Sequence, residues 1–162
     1  SDLIEELKPY FESEKYAKIA LDSKSDIAFL NQLGCGYSGL VFDTSIAAYI
    51  LNPMSSTYYY DDISGEFLGE EIKSEEEVLG KGKSRKSIFE LSEDEKQSIA
   101  VKKAEVALLS KPIIDHKLSE NGQHSLYYDI ELPLIFVLAG MEKEGVKVDR
   151  TASTNISGSS IS

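Results

Sequence analysis

Residues 80–84 read Gly-Lys-Gly-Lys-Ser, the amino acids from which phosphate-cradling loops are made. Such a loop offers backbone N–H groups to phosphate oxygens and follows the pattern G-x-x-x-x-G-K-[ST]. The pattern demands Gly at position 77, where Glu77 stands, and an acidic stretch precedes it in place of a hydrophobic strand. The cations Lys81, Lys83, Arg85 and Lys86 are therefore read as a solvated basic loop, with weak contact to a nucleic-acid backbone as the alternative. Nucleophilic chemistry finds even less. Residues 36–40 would need Gly at position 40 to complete G-x-S-x-G, and Leu40 is there. His116 and His124 are the only histidines, with no serine partner for a triad and no cysteine partners for zinc. The single Cys35 can close no internal disulfide and fits a reducing cytoplasm as a small loop residue.

Carboxylates remain. The chain has 28 Asp and Glu against 17 Lys and Arg, a net charge of −11. That balance repels a duplex over most of the surface, because DNA binding rests on cationic neutralisation of phosphates. It also suits a metal-dependent nuclease, whose carboxylates hold the cations. Each acid must therefore be placed. Glu75, Glu76 and Glu77 form an adjacent run, which reads as a solvated face. Asp129-Ile130-Glu131 is the only literal D-x-E, and it reads as helix capping.

The elements that would position these groups follow from apolar spacing. Residues 2–11 form a helix with Leu3, Ile4, Leu7 and Tyr10 on one side, and 16–21 a short buried strand. Residues 26–33 form a helix with Ile27, Leu30 and Phe29 inward, stopped by Gly34, and 40–42 a second strand. Thr44 or Ser45 caps a helix carrying Ile46, Ala47, Tyr49 and Ile50, which Asn52-Pro53 ends. Within 58–68 lies a short helix with Ile63, Phe67 and Leu68 inward and Gly69 as terminator. Ser92-Glu-Asp-Glu95 is a capping box that starts a long helix through 109. Pro112 either kinks this helix or begins another that ends before Gly122. Residues 129–149 close the chain's apolar part: Asp129 as N-cap, Pro133 in the first turn, a buried stripe of Ile130, Leu134, Val137, Leu138 and Met141, then Gly145 and an extended exit. The tail 151–162, rich in Ser, Thr, Asn and Gly, is expected to be disordered. At 162 residues and 41% hydrophobic content there is enough for one globular domain, and no apolar run approaches the roughly 20 residues that span a bilayer. The opening on Ser1 rather than Met suggests an excised fragment.

Read in order, these segments resemble the 3′–5′ exonuclease-like domain of bacterial DNA polymerase I, of polymerase family A. LIEELKPYFE is similar to the helix before that family's second exonuclease motif, and KIALDSKSDIAFLNQLG to the stretch carrying the motif itself, usually N-L-K-Y-D. GLVFDTSIAAYILNP is close to G-I-x-F-D-T-x-L-A-A-Y-L-L-D-P. VLGKGKSRKSI resembles the family's glycine-lysine loop, QSIAVKKAEVALLSKPI its third motif, and DIELPLIFVLAGMEKEGVKVD the junction into the polymerase domain, which is absent here.

The resemblance implies an α/β, ribonuclease H-like exonuclease fold, helix-rich with a short residual sheet. It lacks the strands that would precede Ser1, which bear the first motif. It divides the chain into an exonuclease-like domain over 1–128, a junction helix over 129–150 and the tail. It further implies hydrolysis of a 3′-terminal phosphodiester by two divalent cations held on carboxylates. Asp26 keeps the second motif's metal-facing position, while Asp22 replaces its Asn and Ser25 its Tyr. In the third motif the tyrosine position is Ile99 and the aspartate position Lys103; Glu105, two residues on, points to another side of the helix. An ammonium where a carboxylate should face a dication repels the metal. The expectation is a domain without catalytic residues, of the degenerate type found in some branches of the family, with no cofactor. It would support the polymerase domain of its parent chain in replication and repair, with DNA held through the parent and weakly or not at all by this fragment. Asp26 is then a helix N-terminal residue favoured by the helix dipole. The alternatives are a weak exonuclease using Mg²⁺ or Mn²⁺ on Asp22 and Asp26, and an acidic protein-interaction module. An open sheet edge would leave the fold marginal or self-associating, and no membrane partner is expected.

Overall fold

The computed structural model of the chain describes residues 2–80 and 85–145. Lys81, Lys83, the extended exit after Gly145 and the tail lie outside them. Helix α1 (Asp2–Phe11) leads into strand β1 (Lys18–Ala20), helix α2 (Ser23–Gln32) and strand β2 (Leu40–Asp43). Among the described residues the sheet has two strands, paired in parallel with Ile19 opposite Phe42 and Ala20 opposite Asp43. Parallel neighbours need a crossover, and α2 supplies it. The loop before β1 is held by one nitrogen: the Lys18 ammonium donates to the carbonyls of Ser13 (3.0 Å), Tyr16 (2.9 Å) and Ser38 (2.7 Å). Gly39 closes the same corner at φ +73°, where a Cβ would lie 2.7 Å from the Tyr16 carbonyl oxygen, so only glycine fits.

Helix α3 (Thr44–Leu51) follows β2 directly, and its N-cap is Asp43, not Thr44 or Ser45. A carboxylate accepts the free first-turn N–H as well as a hydroxyl does, which is how the cap moved one residue upstream. Helix α2 also starts earlier than expected, at Ser23 and not at residue 26, with Asp22 as cap, and so places Asp26 in the first turn. A short α4 (Tyr60–Ile63) runs on into a π-turn (Ser64–Leu68), ended by Gly69 as expected. Glu75 to Glu77 are not a bare solvated run: Ser74 caps them into helix α5 (Glu75–Leu79). A 3₁₀ turn (Ile88–Glu90) then precedes α6 (Glu93–Glu120), started by the Ser92–Glu95 capping box.

Helix α6 has 28 residues and is thus about 42 Å long. Pro112 lies inside it and breaks nothing. A mid-helix proline costs about 3 kcal/mol. Here Val106, Ala107, Ser110, Ile114 and Leu118 continue one buried stripe through the proline, and that packing decides the outcome.

The last helix departs most from expectation. Asp129 caps nothing; helical backbone begins at residue 124, passes through a π-turn (Leu126–Glu131) and becomes α7 (Leu132–Glu144). The buried residues are Tyr127, Leu132, Ile135 and Ala139. The expected stripe of Ile130, Leu134, Val137, Leu138 and Met141 is exposed, from 37% at Leu134 to 61% at Met141. One extra residue in a turn rotates everything beyond it by about 100°, and a helix apolar on nearly every side gives no periodic signal against that rotation. Phe29, expected inside, is 60% exposed, and Leu3, Leu7, Tyr10 and Tyr49 are exposed on their helices. The main core lies between β2, α3, the α4 segment, α6 and α7, around Phe42, Ile63, Ile114, Leu118 and Tyr127. A separate small cluster joins Leu79, Leu91 and Ile99 with Val78.

Candidate functional site

Four elements converge on the carboxylates singled out by sequence. The start of α2 brings Asp22 and Asp26, the end of β2 brings Asp43, α6 brings Ile99 and Lys103, and α5 brings Glu75. Asp22 is occupied: its carboxylate accepts from the Ser25 N–H (3.3 Å) and the Ser25 hydroxyl (2.6 Å). Asp43, fully buried, accepts from the Ser23 N–H (2.7 Å), the Ser23 hydroxyl (2.5 Å) and the Ile46 N–H (3.0 Å). Its backbone is clasped by Tyr127, whose hydroxyl accepts from the Asp43 N–H (2.7 Å) and donates to the Asp43 carbonyl (3.0 Å). One buried carboxylate thus ties together the starts of α2 and α3, while Tyr127 fastens the strand end to the segment before α7.

Asp26 lies one turn beyond Asp22. Desolvation by packed protein pushes its carboxyl above the usual range, repulsion from Asp22 and Asp43 adds to the rise, and the Lys103 ammonium opposes it. Tyr37 faces the same acids and is pushed up to about 12, by burial first and by Asp26 and Asp43 after it. The structure therefore brings Asp22, Asp26 and Lys103 into one electrostatic neighbourhood. It adds Asp43 and Glu75. The Lys103 ammonium pairs with Glu75 at 2.5 Å, and the Arg85 guanidinium stands 4.0 Å from the same carboxylate. Ile99 is 5% exposed and packs in the small cluster with Leu79 and Leu91, with no hydroxyl to orient a water. Of the basic-loop candidates, Arg85 is directed at Glu75 and Lys86 is exposed.

A divalent cation placed here would meet an ammonium at Lys103 and two carboxylates committed to Ser25, Ser23 and Ile46. Among the described residues no group of three or more His, Cys, Asp or Glu is placed to hold a metal ion. This donor set does not fit a cation pair. Beside it opens a cleft of about 800 Å³, lined by Asp22, Tyr58 to Asp62, Ser74 to Glu76, Arg85 and Lys103 among others. Sequence reasoning missed two members. Asp43 carried a usable signal, an acid directly before an apolar helix. Glu75 carried none, since its partner lies 28 positions away on another helix.

Residues 2–109 match the family model described as DNA polymerase I, ribonuclease H-like domain. The chain belongs to the DNA polymerase I family. It is 34% identical to DNA polymerase I of Bacillus subtilis over 148 residues, which is 90% of this chain and 16% of that protein. Against DNA polymerase I of Geobacillus stearothermophilus it is 35% identical over 136 residues, 84% of this chain and 15% of the relative. The chain thus spans about a sixth of the length of these polymerases. A solved structure titled as the POL domain of Pol1 from M. smegmatis in complex with DNA primer-template and dNTP superposes with a TM-score of 0.70. It covers 88% of this chain and 22% of that one at 23% identity, a likeness of fold. The ribonuclease H-like, helix-rich fold with a short sheet is as the resemblance implied. No helix of the described residues is long and apolar enough to cross a membrane.

Proposed function

We propose that this is a non-catalytic exonuclease-like domain that supports the polymerase part of a cytoplasmic DNA polymerase I in replication and repair. The observation that carries the reading is Lys103. Its ammonium stands among Asp22, Asp26 and Glu75, where hydrolysis would require a carboxylate gripping a dication, and it is held there by Glu75. One turn earlier, buried Ile99 stands where a water-orienting tyrosine is expected.

The supporting role draws on α7. Its inner face packs on α2 and the main core, with Lys24 of α2 paired to Glu142 of α7 at 2.7 Å. The outer face, Leu134, Val137, Leu138 and Met141 of α7 with Ile130 of the preceding π-turn, is 37% to 61% exposed among the described residues. An apolar face of this kind marks an interface. The relatives' remaining length, more than four fifths of each polymerase, supplies the neighbour we assign to it. DNA is then held by the parent enzyme, and this acidic domain contributes weakly or not at all.

The test is a nuclease assay on the purified chain with a labelled single strand and Mg²⁺ or Mn²⁺. The strand is expected to keep its length. Metal-dependent shortening from the 3′ end that disappears in Asp26→Ala would replace this reading with that of a weak exonuclease using Asp22 and Asp26.

A further inference from the structure

The cleft beside the acids combines apolar surface, aromatic rings and an excess of negative charge. Leu21 and Tyr58, both packed on the main core, supply its apolar part. The tyrosine segment is fixed before anything arrives. The Tyr58 hydroxyl donates to the Asn52 carbonyl (2.7 Å), the Tyr60 hydroxyl to the Lys73 carbonyl (2.7 Å), and the Ser45 hydroxyl to the Tyr58 carbonyl (3.0 Å). Between these two anchored tyrosines Tyr59 lines the cleft and is 65% exposed. Five carboxylates line the same space against two cations, and both cations, Lys103 and Arg85, are turned on Glu75. Asp22, Asp61 and Asp62 therefore set the field over the rest of the cleft. Asp61 is under-neutralised: burial pushes its carboxyl up, repulsion from Asp62, Glu77 and Glu75 adds to the rise, and its Oδ1 meets no donor among the described residues.

We propose that this cleft is a docking groove for a short basic peptide segment of a partner protein, one in which an apolar or aromatic side chain lies beside lysine or arginine. Charge complementarity selects the sign of the occupant. A phosphate backbone entering here meets acids, and cations already held by Glu75. A lysine or arginine meets the same acids as counter-charges and finds the open ring of Tyr59 for a cation–π contact. The apolar part selects a peptide over a bare polyamine, because only the peptide brings a side chain to cover Leu21 and Tyr58. A volume of about 800 Å³ is within the range that encloses a ligand the size of a few residues. With the tyrosine segment already held, binding has little left to order. The groove does not depend on whether the domain hydrolyses DNA, so it goes beyond the function proposed above and is tested separately from it.

Fluorescence anisotropy on the whole chain tests it, at about 0.15 M NaCl, with the labelled hexapeptide RFKRLK as probe. Wild type is expected to bind it. Tyr59→Ala removes an exposed ring and should weaken binding by about two- to fivefold, the range of an exposed cation–π contact. Asp61→Asn keeps the shape, removes one charge and should weaken binding by a similar factor. The double variant Glu5→Gln with Glu6→Gln removes two charges from exposed positions of α1 and should bind like wild type. The peptide RGKRGK, equal in charge but without apolar side chains, should bind at least about twofold more weakly than RFKRLK. Absence of binding, or equal binding by wild type and both cleft variants, would overturn the groove. So would an α1 double variant that loses as much as Asp61→Asn, since that is diffuse attraction to an acidic chain. Equal binding of RGKRGK, or displacement of RFKRLK by an equal concentration of spermidine, would replace the peptide with a bare polycation. Tighter binding of a labelled six-nucleotide thymidine strand would replace it with nucleic acid.

Discussion

Replacing Asp43 with alanine removes the acceptor for three donors at once and leaves two of them, the N–H and hydroxyl of Ser23, buried without a partner. Losing the N-cap of α3 costs about 1 kcal/mol. Stranding the buried Ser23 donors costs about 1–3 kcal/mol more. Part is offset, because burial pushes the Asp43 carboxyl above its usual range despite the hydrogen bonds from Ile46 and Ser23, so the charge itself is poorly accommodated. The net expectation is a loss of about 3 kcal/mol, from a total of about 5–15 kcal/mol for a domain of this kind. At about 2–4 °C per kcal/mol for a chain of this length, the melting temperature should fall by about 10 °C. Asp43→Asn keeps the shape and one acceptor oxygen, so its loss should be about half as large. Thermal denaturation followed by circular dichroism measures both. An Asp43→Ala protein melting within about 2 °C of wild type would refute the view that this carboxylate joins α2 to α3.

Two further perturbations probe the same region. Tyr127→Phe deletes the hydroxyl that clasps the Asp43 backbone and strands its buried N–H; urea titration should give a loss of about 1–3 kcal/mol with an unchanged slope. Asp26 should titrate above the ordinary carboxylate range in a carbon-13 NMR experiment, and Lys103→Met should move it higher, since the ammonium is the one influence holding it down. The stability consequence has a definite sign. A carboxyl raised in the folded state stabilises fully below its unfolded value and loses that contribution as pH rises through the folded one, so Asp26→Asn should remove the fall in stability that wild type shows as pH rises across that window.

Local signals in this sequence translated well into structure. The Ser92–Glu95 capping box, Gly34 and Gly69 each mark their helix boundary, because a cap or a left-handed residue acts within one turn of itself. In the structure Asp22, Asp26 and Lys103 act on one another electrostatically although they come from two distant helices. Orientation was harder to read. Leu132, Ile135 and Ala139 are buried while Leu134, Leu138 and Met141 are not, and both sets recur at helical spacing. The choice between them is made by the π-turn upstream and by packing on α2. Glu75 was equally out of reach: a carboxylate in an acidic run acquires its meaning only from a lysine on a distant helix. Pro112 shows the same lesson in reverse, since a local breaker is overruled by a stripe of buried side chains on either side of it.

The corner built on Lys18 has a practical side. Three carbonyl oxygens converging on one positive centre are part of the kind of oxygen shell with which other loops hold calcium. Here the positive centre is covalently part of the chain. Chelators and exchanges of buffer cation leave the turn as it is, whereas acylation of that one amine would strip it of the grip that keeps β1 beside β2.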